Sequence, residues 1–146
     1  MIAVDTNVLV AYQRSEYVYH TVEVITILAE GHSAWGLPWP CAHEFLAVVT
    51  NPRIFRIPTP MADAIDCLSA LLESPSVRGL AESGMYWNIL SALLGGSGGI
   101  GARVHDARVA AICLDHDVRE LWTADRDFSR FPNLKCRNPL VGAMPF

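Results

Sequence analysis

The sequence predicts an α/β sandwich built on a mostly parallel sheet with helices on both faces. Three observations lead there. Strand-like apolar runs alternate with helical stretches along the chain, the order expected of a covered parallel sheet. The 146 residues are the length of one ordinary domain, enough to bury about 68–70% of the unfolded surface without a disulfide or metal staple. Hydrophobic residues reach 51% and charged residues only 18%, with no internal repeat or linker, so residues 1–146 read as a single domain.

The elements follow in order. Residues 2–4 form a buried strand ending at Asp5-Thr6-Asn7, a polar turn that feeds a helix over 8–12. A second helix spans 18–30, with apolar residues at 18, 22, 25 and 28–29, and stops at Gly31. Residues 33–37 make a strand before Pro38. Pro40 suits the first position of a helix whose run over 41–50 is broken by Asn51-Pro52. Thr59-Pro60 opens a helix over 59–73, a small strand follows at 77–80, and 85–94 is a strongly apolar helix. Residues 95–101 are too glycine-rich to be anything but a loop. A helix over 102–115 puts Val104, Ala107, Ala111 and Leu114 on one face. A strand at 120–123, a turn at 124–127 and a short segment at 135–139 complete the chain.

Composition excludes several classes. The longest apolar run, 109–114, has six residues, against the roughly 20 a membrane helix needs. The chain opens without a basic leader or cleavage site, and the expectation is a cytoplasmic protein with no membrane contact. Cys41, Cys67, Cys113 and Cys136 show no CxxC pair and read as reduced core residues. The shortage of charge leaves apolar surface for a second copy or a partner. A balance of 15 acids against 11 bases, net −4, at first argues against nucleic acid, whose binders carry a basic excess.

The acids are not evenly spread. Ligands of open α/β sheets bind beyond the carboxyl ends of the strands, where Asp5 and Asp125 both fall; each also reads as an ordinary helix cap or turn residue. Glu44 shares a helix face with Cys41 and Val48, and Asp106 is followed at i+3 and i+4 by Val109 and Ala110. A carboxylate facing a core is costly unless it is paired, hydrogen-bonded or metal-bound. Lys135 is the only lysine. An arginine partner is one account; a hard divalent cation held by oxygen ligands is the simpler one, which favours Mg²⁺ or Mn²⁺ over zinc. Asn7 and Thr123 lie two residues from Asp5 and Asp125 and can orient the cluster, or serve as cap and strand residues.

The start IAVDTNVLV, the helix PCAHEF, the stretch VHDARVAAIC and the ending LWTADRDFSRFPNL together resemble the PIN-domain ribonucleases, and more narrowly the VapC-type toxins of bacterial toxin–antitoxin pairs. NPRIFRIPTPMADAI and CRNPL extend the resemblance over essentially the whole chain. It implies a PIN-like three-layer α/β/α sandwich and a catalytic quartet at Asp5, Glu44, Asp106 and Asp125, with Asp5 and Asp106 as direct metal ligands. Asp127, Asn7 and Thr123 fall on supporting positions. The implied reaction is Mg²⁺- or Mn²⁺-dependent endonucleolytic cleavage of RNA by a metal-activated water. The implied partners are a cognate antitoxin and a second copy in a homodimer. Arg53, Arg56, Arg126 and Arg130 are candidate contacts to RNA phosphates, Arg being suited to bidentate phosphate recognition.

Other readings fall or remain as alternatives. Gly96–Gly101 matches GxGxxG, but a helical WNILSALL rather than a strand precedes it, so no dinucleotide cofactor is expected. His43-Glu44 begins like HExxH, yet position 47 is Ala. The loop at Asp5 lacks the second acid of dehalogenase-type phosphatases, and no Ser/His/Asp or Cys/His arrangement is present. His105 and His116 receive no metal role, and Trp35, Trp39, Trp87 and Trp122 are expected in core or interface packing. A non-catalytic RNA- or protein-binding module and a phosphoesterase of small substrates would use the same residues. Binding without cleavage, or activity on mononucleotides alone, separates them from a ribonuclease. With four of the 15 acids gathered into one site, the remaining acids equal the 11 bases in number, and the net charge no longer argues against RNA.

Overall fold

In the computed structural model, residues 1–16, 22–97 and 100–140 are described. Strands β1 (Ile2–Val4), β2 (Trp35–Pro38), β3 (Val77–Leu80), β4 (Glu120–Trp122) and β5 (Cys136–Arg137) form one sheet in the order β3-β2-β1-β4-β5. Every pairing is parallel. The helices are α1 (Thr6–Gln13), α2 (Val22–Glu30), α3 (Trp39–Val49), α4 (Met61–Leu72), α5 (Tyr86–Ser97) and α6 (Arg103–Asp115), with a 3-10 turn at Arg126–Arg130.

Alternation along the strands divides the core into two layers. Val4, Trp35, Leu37 and Trp122 pack with α1–α4, including Leu9, Ile25, Phe45 and Leu68. Ala3, Leu80 and Leu121 face the other way, onto Leu90 of α5, Ala107, Ala110 and Ile112 of α6, and Phe128 of the 3-10 turn. The predicted α/β/α sandwich is therefore observed, here with a wholly parallel sheet. Chain order leaves β1 at the centre, with β2 on one side and β4 on the other. The point where strand order reverses lies beside Asp5, whose amide donates to the Trp122 carbonyl at 2.9 Å.

The predicted elements are found with shifted ends. The helix expected over 8–12 begins at Thr6, because Asp5 caps it with a hydrogen bond to the Thr6 amide. The helix expected over 18–30 is seen from Val22, its residues 18–21 lying outside the described ones. The helix after Pro38 starts at Trp39 and holds Pro40 in its first turn. All four cysteines are free, Cys41 and Cys113 in the core. Trp35 and Trp122 are buried in the core, whereas Trp39 and Trp87 are 38% and 68% exposed, which leaves interface packing as the expectation for those two.

The glycine run is the main correction. Helix α5 continues through Gly95 and Gly96 to Ser97 rather than ending at Leu94. Leu90, Leu93 and Leu94 are anchored in the second core layer, and that packing outweighs the ~1 kcal/mol each glycine costs a helix. Gly98 and Gly99 lie outside the described residues. Gly101 is a different case, with φ +61° just before Ala102, the residue at the cap position of α6, a left-handed conformation that favours glycine.

The same substitution should therefore have opposite effects at two glycines. A methyl at Gly95 meets nothing within 4 Å, so Gly95→Ala should stabilise the protein by about 0.5–1 kcal/mol. Gly101→Ala should destabilise it by about 1 kcal/mol through backbone strain. Urea unfolding of the two variants checks both signs.

Candidate metal centre

Four places in the fold bring acids to one edge of the sheet. Asp5 follows the last residue of β1, and Thr123–Asp125 follow β4, its parallel neighbour. Glu44 comes from the middle of α3, in the layer that covers one face, and Asp106 from the first turn of α6, in the layer that covers the other. Asp5, Asn7, Glu44, Asp106, Asp125 and Asp127 all line a single cleft of about 890 Å³.

Asp5 is 7% exposed. Its Oδ1 accepts from the Thr6 amide at 2.8 Å and from the Cys41 thiol at 3.4 Å. Its Oδ2 accepts from the Thr123 hydroxyl at 2.7 Å and from Asn7 Nδ2 at 3.3 Å. Burial pushes the Asp5 carboxyl above the usual carboxylate range, and the bonds from Thr123, Thr6 and Cys41 oppose the shift. Burial likewise keeps the Cys41 thiol protonated and able to donate. Asn7 Oδ1 accepts from the Ala124 amide at 3.0 Å, and Thr123 Oγ1 accepts from the Asp125 amide at 3.0 Å, so the segment after β4 is tied to the segment after β1. Asp125 Oδ1 takes the Asp127 amide at 2.8 Å and caps the 3-10 turn. Its reading as a turn residue holds together with its place in the cleft.

Asp106, Asp125 and Asp127 each present an oxygen within 4.8 Å of the others, a spacing that one cation can bridge. Asp127, expected only in support, is thus nearer to Asp106 and Asp125 than its sequence rank implied. The carboxyl of Asp106 is pushed up to about 6, first by burial and then by Asp125, Asp5, Asp127 and Glu44. Among the described residues the ion pairs are Arg14–Glu16, Arg108–Glu82 and Lys135–Glu120, and none of them neutralises an acid of the cleft. An all-carboxylate donor set with accumulated negative charge and no basic partner fits a hard divalent ion such as Mg²⁺ or Mn²⁺. Asp106, Asp125 and Asp127 are the residues close enough together to hold it, and Asp5, outside that group, lines the same cleft.

Two expectations need revision. Glu44 does not face the core: it is exposed in the cleft, and its Oε2 accepts from the Thr6 hydroxyl at 3.1 Å. Its apolar flank includes Ala47 and Val48, which line the cleft together with Val10. An apolar neighbourhood on α3 marked a cleft wall rather than the interior. The nominated arginines also lie elsewhere. Arg53 is exposed in the turn after α3, Arg56 lines a separate hollow with Arg14 and Ile57, and Arg126 lines another beside Asp125. Arg130 is absent from the cleft wall, which instead carries Arg103 and Arg108. Arg103 lies at −3 from Asp106 on α6, and helix periodicity around that acid was the available signal for it; Arg108, at +2, had no such signal. Thr6 and Cys41 were the other residues missed.

No protein-family model matches the chain. Individual proteins do. VapC ribonuclease Mb2897 of Mycobacterium bovis is 35% identical over 144 residues, covering 97% of both chains. The chain belongs to the VapC ribonuclease family. Ribonuclease VapC43 of Mycobacterium tuberculosis shows the same identity and coverage, and VapC33 is 34% identical over 75% of this VapC chain and 76% of its own. Solved structures share the VapC fold at lower identity. VapBC2 from Rickettsia felis, bound to a promoter DNA fragment, gives a TM-score of 0.66 at 19% identity, over 94% of this chain and 98% of that one. Mycobacterium tuberculosis VapC20, a sarcin–ricin loop cleaving toxin, gives 0.65 at 18%, over 88% and 93%.

The raised value of Asp106 fixes a pH dependence. Its folded value of about 6 lies above its ordinary 3.8, so the folded state binds the proton more tightly than the unfolded one. In metal-free protein this contribution to stability falls as pH rises from about 3.8 through about 6. Melting in EDTA should show it, and Asp106→Asn should flatten the slope. A divalent ion must displace the same proton, so Mn²⁺ affinity measured by calorimetry should weaken as pH falls below about 6, approaching ~10-fold per unit.

Proposed function

We propose that this chain is a divalent-metal-dependent endoribonuclease, the toxin of a toxin–antitoxin pair, held inactive by a cognate antitoxin protein. The observation that carries the reading is the convergence of Asp5, Glu44, Asp106, Asp125 and Asp127 on one open cleft in a member of the VapC ribonuclease family. Mg²⁺ is the expected cofactor, with Mn²⁺ as a substitute. The relative VapC20 is a sarcin–ricin loop cleaving toxin, and VapBC2 was solved bound to promoter DNA. Both support a toxin that cuts RNA and works with a partner.

A bound divalent ion supplies charge neutralisation at a phosphoryl group and acidifies water near it. The side chains do the rest. Asp5 and Asp106 would be the direct ligands, and Asp125 and Asp127, whose oxygens lie within 4.8 Å of one from Asp106, would complete the negative charge that retains the ion. Asn7 and Thr123 keep Asp5 in place through the bonds at 3.3 and 2.7 Å. Glu44, exposed in the same cleft, would accept a proton from water approaching the phosphodiester. Arg103, on the cleft wall, takes over the phosphate-gripping role first sought in Arg53, Arg56, Arg126 and Arg130. Exposed Ile57, Trp87 and Ile100 support surfaces covered by an antitoxin or by a second copy in a homodimer. Among the described residues no helix is long and apolar enough to cross a membrane, in keeping with action on RNA in the cytoplasm.

Incubation of purified protein with cellular RNA and Mg²⁺, followed by mapping of 5′ ends, tests the reading. Discrete cleavage is expected, abolished by EDTA and reduced at least ~100-fold by Asp5→Asn or Asp106→Asn. Cleavage that survives these changes, RNA binding without cleavage, or turnover of mononucleotides alone would each overturn it. Sedimentation at micromolar concentration should show a dimer.

A further inference from the structure

We propose that Thr6 and Cys41 are positioning residues that hold Asp5 and Glu44 as one unit at the metal centre. The inference rests on the divalent-metal reading above. Asp5 ends a strand and Glu44 sits within α3, and the positions are 39 apart in sequence, so nothing local fixes their separation. The structure supplies two polar links between their elements. The Thr6 hydroxyl donates to Glu44 Oε2 at 3.1 Å and lies 3.5 Å from the Cys41 carbonyl. The Cys41 thiol donates to Asp5 Oδ1 at 3.4 Å, the same oxygen that accepts from the Thr6 amide at 2.8 Å. The circuit closes: Asp5 to Thr6 through backbone, Thr6 to Glu44 through the hydroxyl, Glu44 to Cys41 along one turn of α3, and Cys41 back to Asp5 through the thiol.

Both linking residues are out of solvent, Thr6 at 6% and Cys41 at 0% exposure. Neither serves as an ordinary packing residue alone. Thr6 spends its one hydroxyl proton on a carboxylate of the cleft, and a side chain of equal shape without that proton, Val, would leave Glu44 free to swing in an open cleft. Cys41 has a weak donor aimed at the oxygen of Asp5 that Thr123 does not reach. Groups that hydrogen-bond metal ligands orient them, and their loss typically costs 10–100-fold in affinity or activity.

The test uses the full-length protein stripped of metal and titrated with Mn²⁺ alone. Cys41→Ala should weaken Mn²⁺ binding about 10-fold or more, because it removes a donor from Asp5, and Cys41→Ser, which keeps a donor, should stay within about threefold of the parent. Thr6→Val and Thr6→Ser form the parallel pair at Glu44, read on RNA cleavage, and decide the matter if Cys41→Ala fails to fold. A double-mutant cycle separates positioning from mere structure. Thr6→Val should lower kcat about 10-fold or more with little change in KM, Thr6→Ser should stay within about threefold, and in a Glu44→Gln background Thr6→Val should cost less than about threefold in kcat. Unchanged Mn²⁺ affinity in Cys41→Ala, or the same loss of kcat from Thr6→Val with and without Glu44→Gln, would overturn the assignment. A parent protein that takes up no Mn²⁺ refutes the metal reading and this assignment with it. One that binds Mn²⁺ yet leaves RNA uncut refutes only the ribonuclease reading.

Discussion

Carboxylates crowded at one edge of a sheet repel one another, and a fold that gathers five of them has to supply the restraint. At Asp5 the restraint is four donors, from Thr6, Asn7, Cys41 and Thr123. At Asp125 and Glu44 it is a single amide or hydroxyl each. Asp106, half-buried and facing the other four, takes up the remaining strain by a large upward shift of its proton affinity. The cleft is thus uneven by construction: one acid is locked, and another is held mainly by the helix that carries it. Uneven restraint suits a centre that must both retain an ion and admit a phosphodiester.

The doubly covered sheet makes that arrangement possible. The centre draws Glu44 from the helical layer on one face and Asp106 from the layer on the other, and the ends of β1 and β4 meet between them. Because β1 is central, the point of strand reversal lies between the two helical layers. Ligand sites of open α/β sheets fall at such points. The large buried rings Trp35, Trp122, Phe45 and Phe128 fill both layers and hold the two helices at their spacing.

The sequence disclosed most of this because its signals were local. A three-residue apolar run ending in an acid marks β1 and Asp5, and Asp125 is marked by lying just past the strand at 120–122. What it hid depends on distance along the chain. Periodicity placed Glu44 beside apolar residues but could not tell a cleft wall of Val10 and Val48 from a core. Glycine content argued for a loop at Gly95, and only the packing of Leu90 and Leu94 shows why the helix persists. The nominated arginines follow α3 and β4 in the chain, whereas those on the cleft wall, Arg103 and Arg108, belong to α6. Thr6 read as a turn residue and Cys41 as a core cysteine, since the bonds that single them out span 38 and 36 positions.

The bond between Asp5 and Thr123 joins residues 118 apart, and it carries a consequence for synthesis. The strand that leads to Thr123 inserts beside β1, so one flank of β1 stays open until a distant part of the chain arrives. A nascent chain that has not yet reached β4 exposes that flank and has no Asp125 or Asp127. Long-range closure of this kind is slow. The most firmly held acid of the cleft is therefore held only after both helical layers that precede β4 have been synthesised.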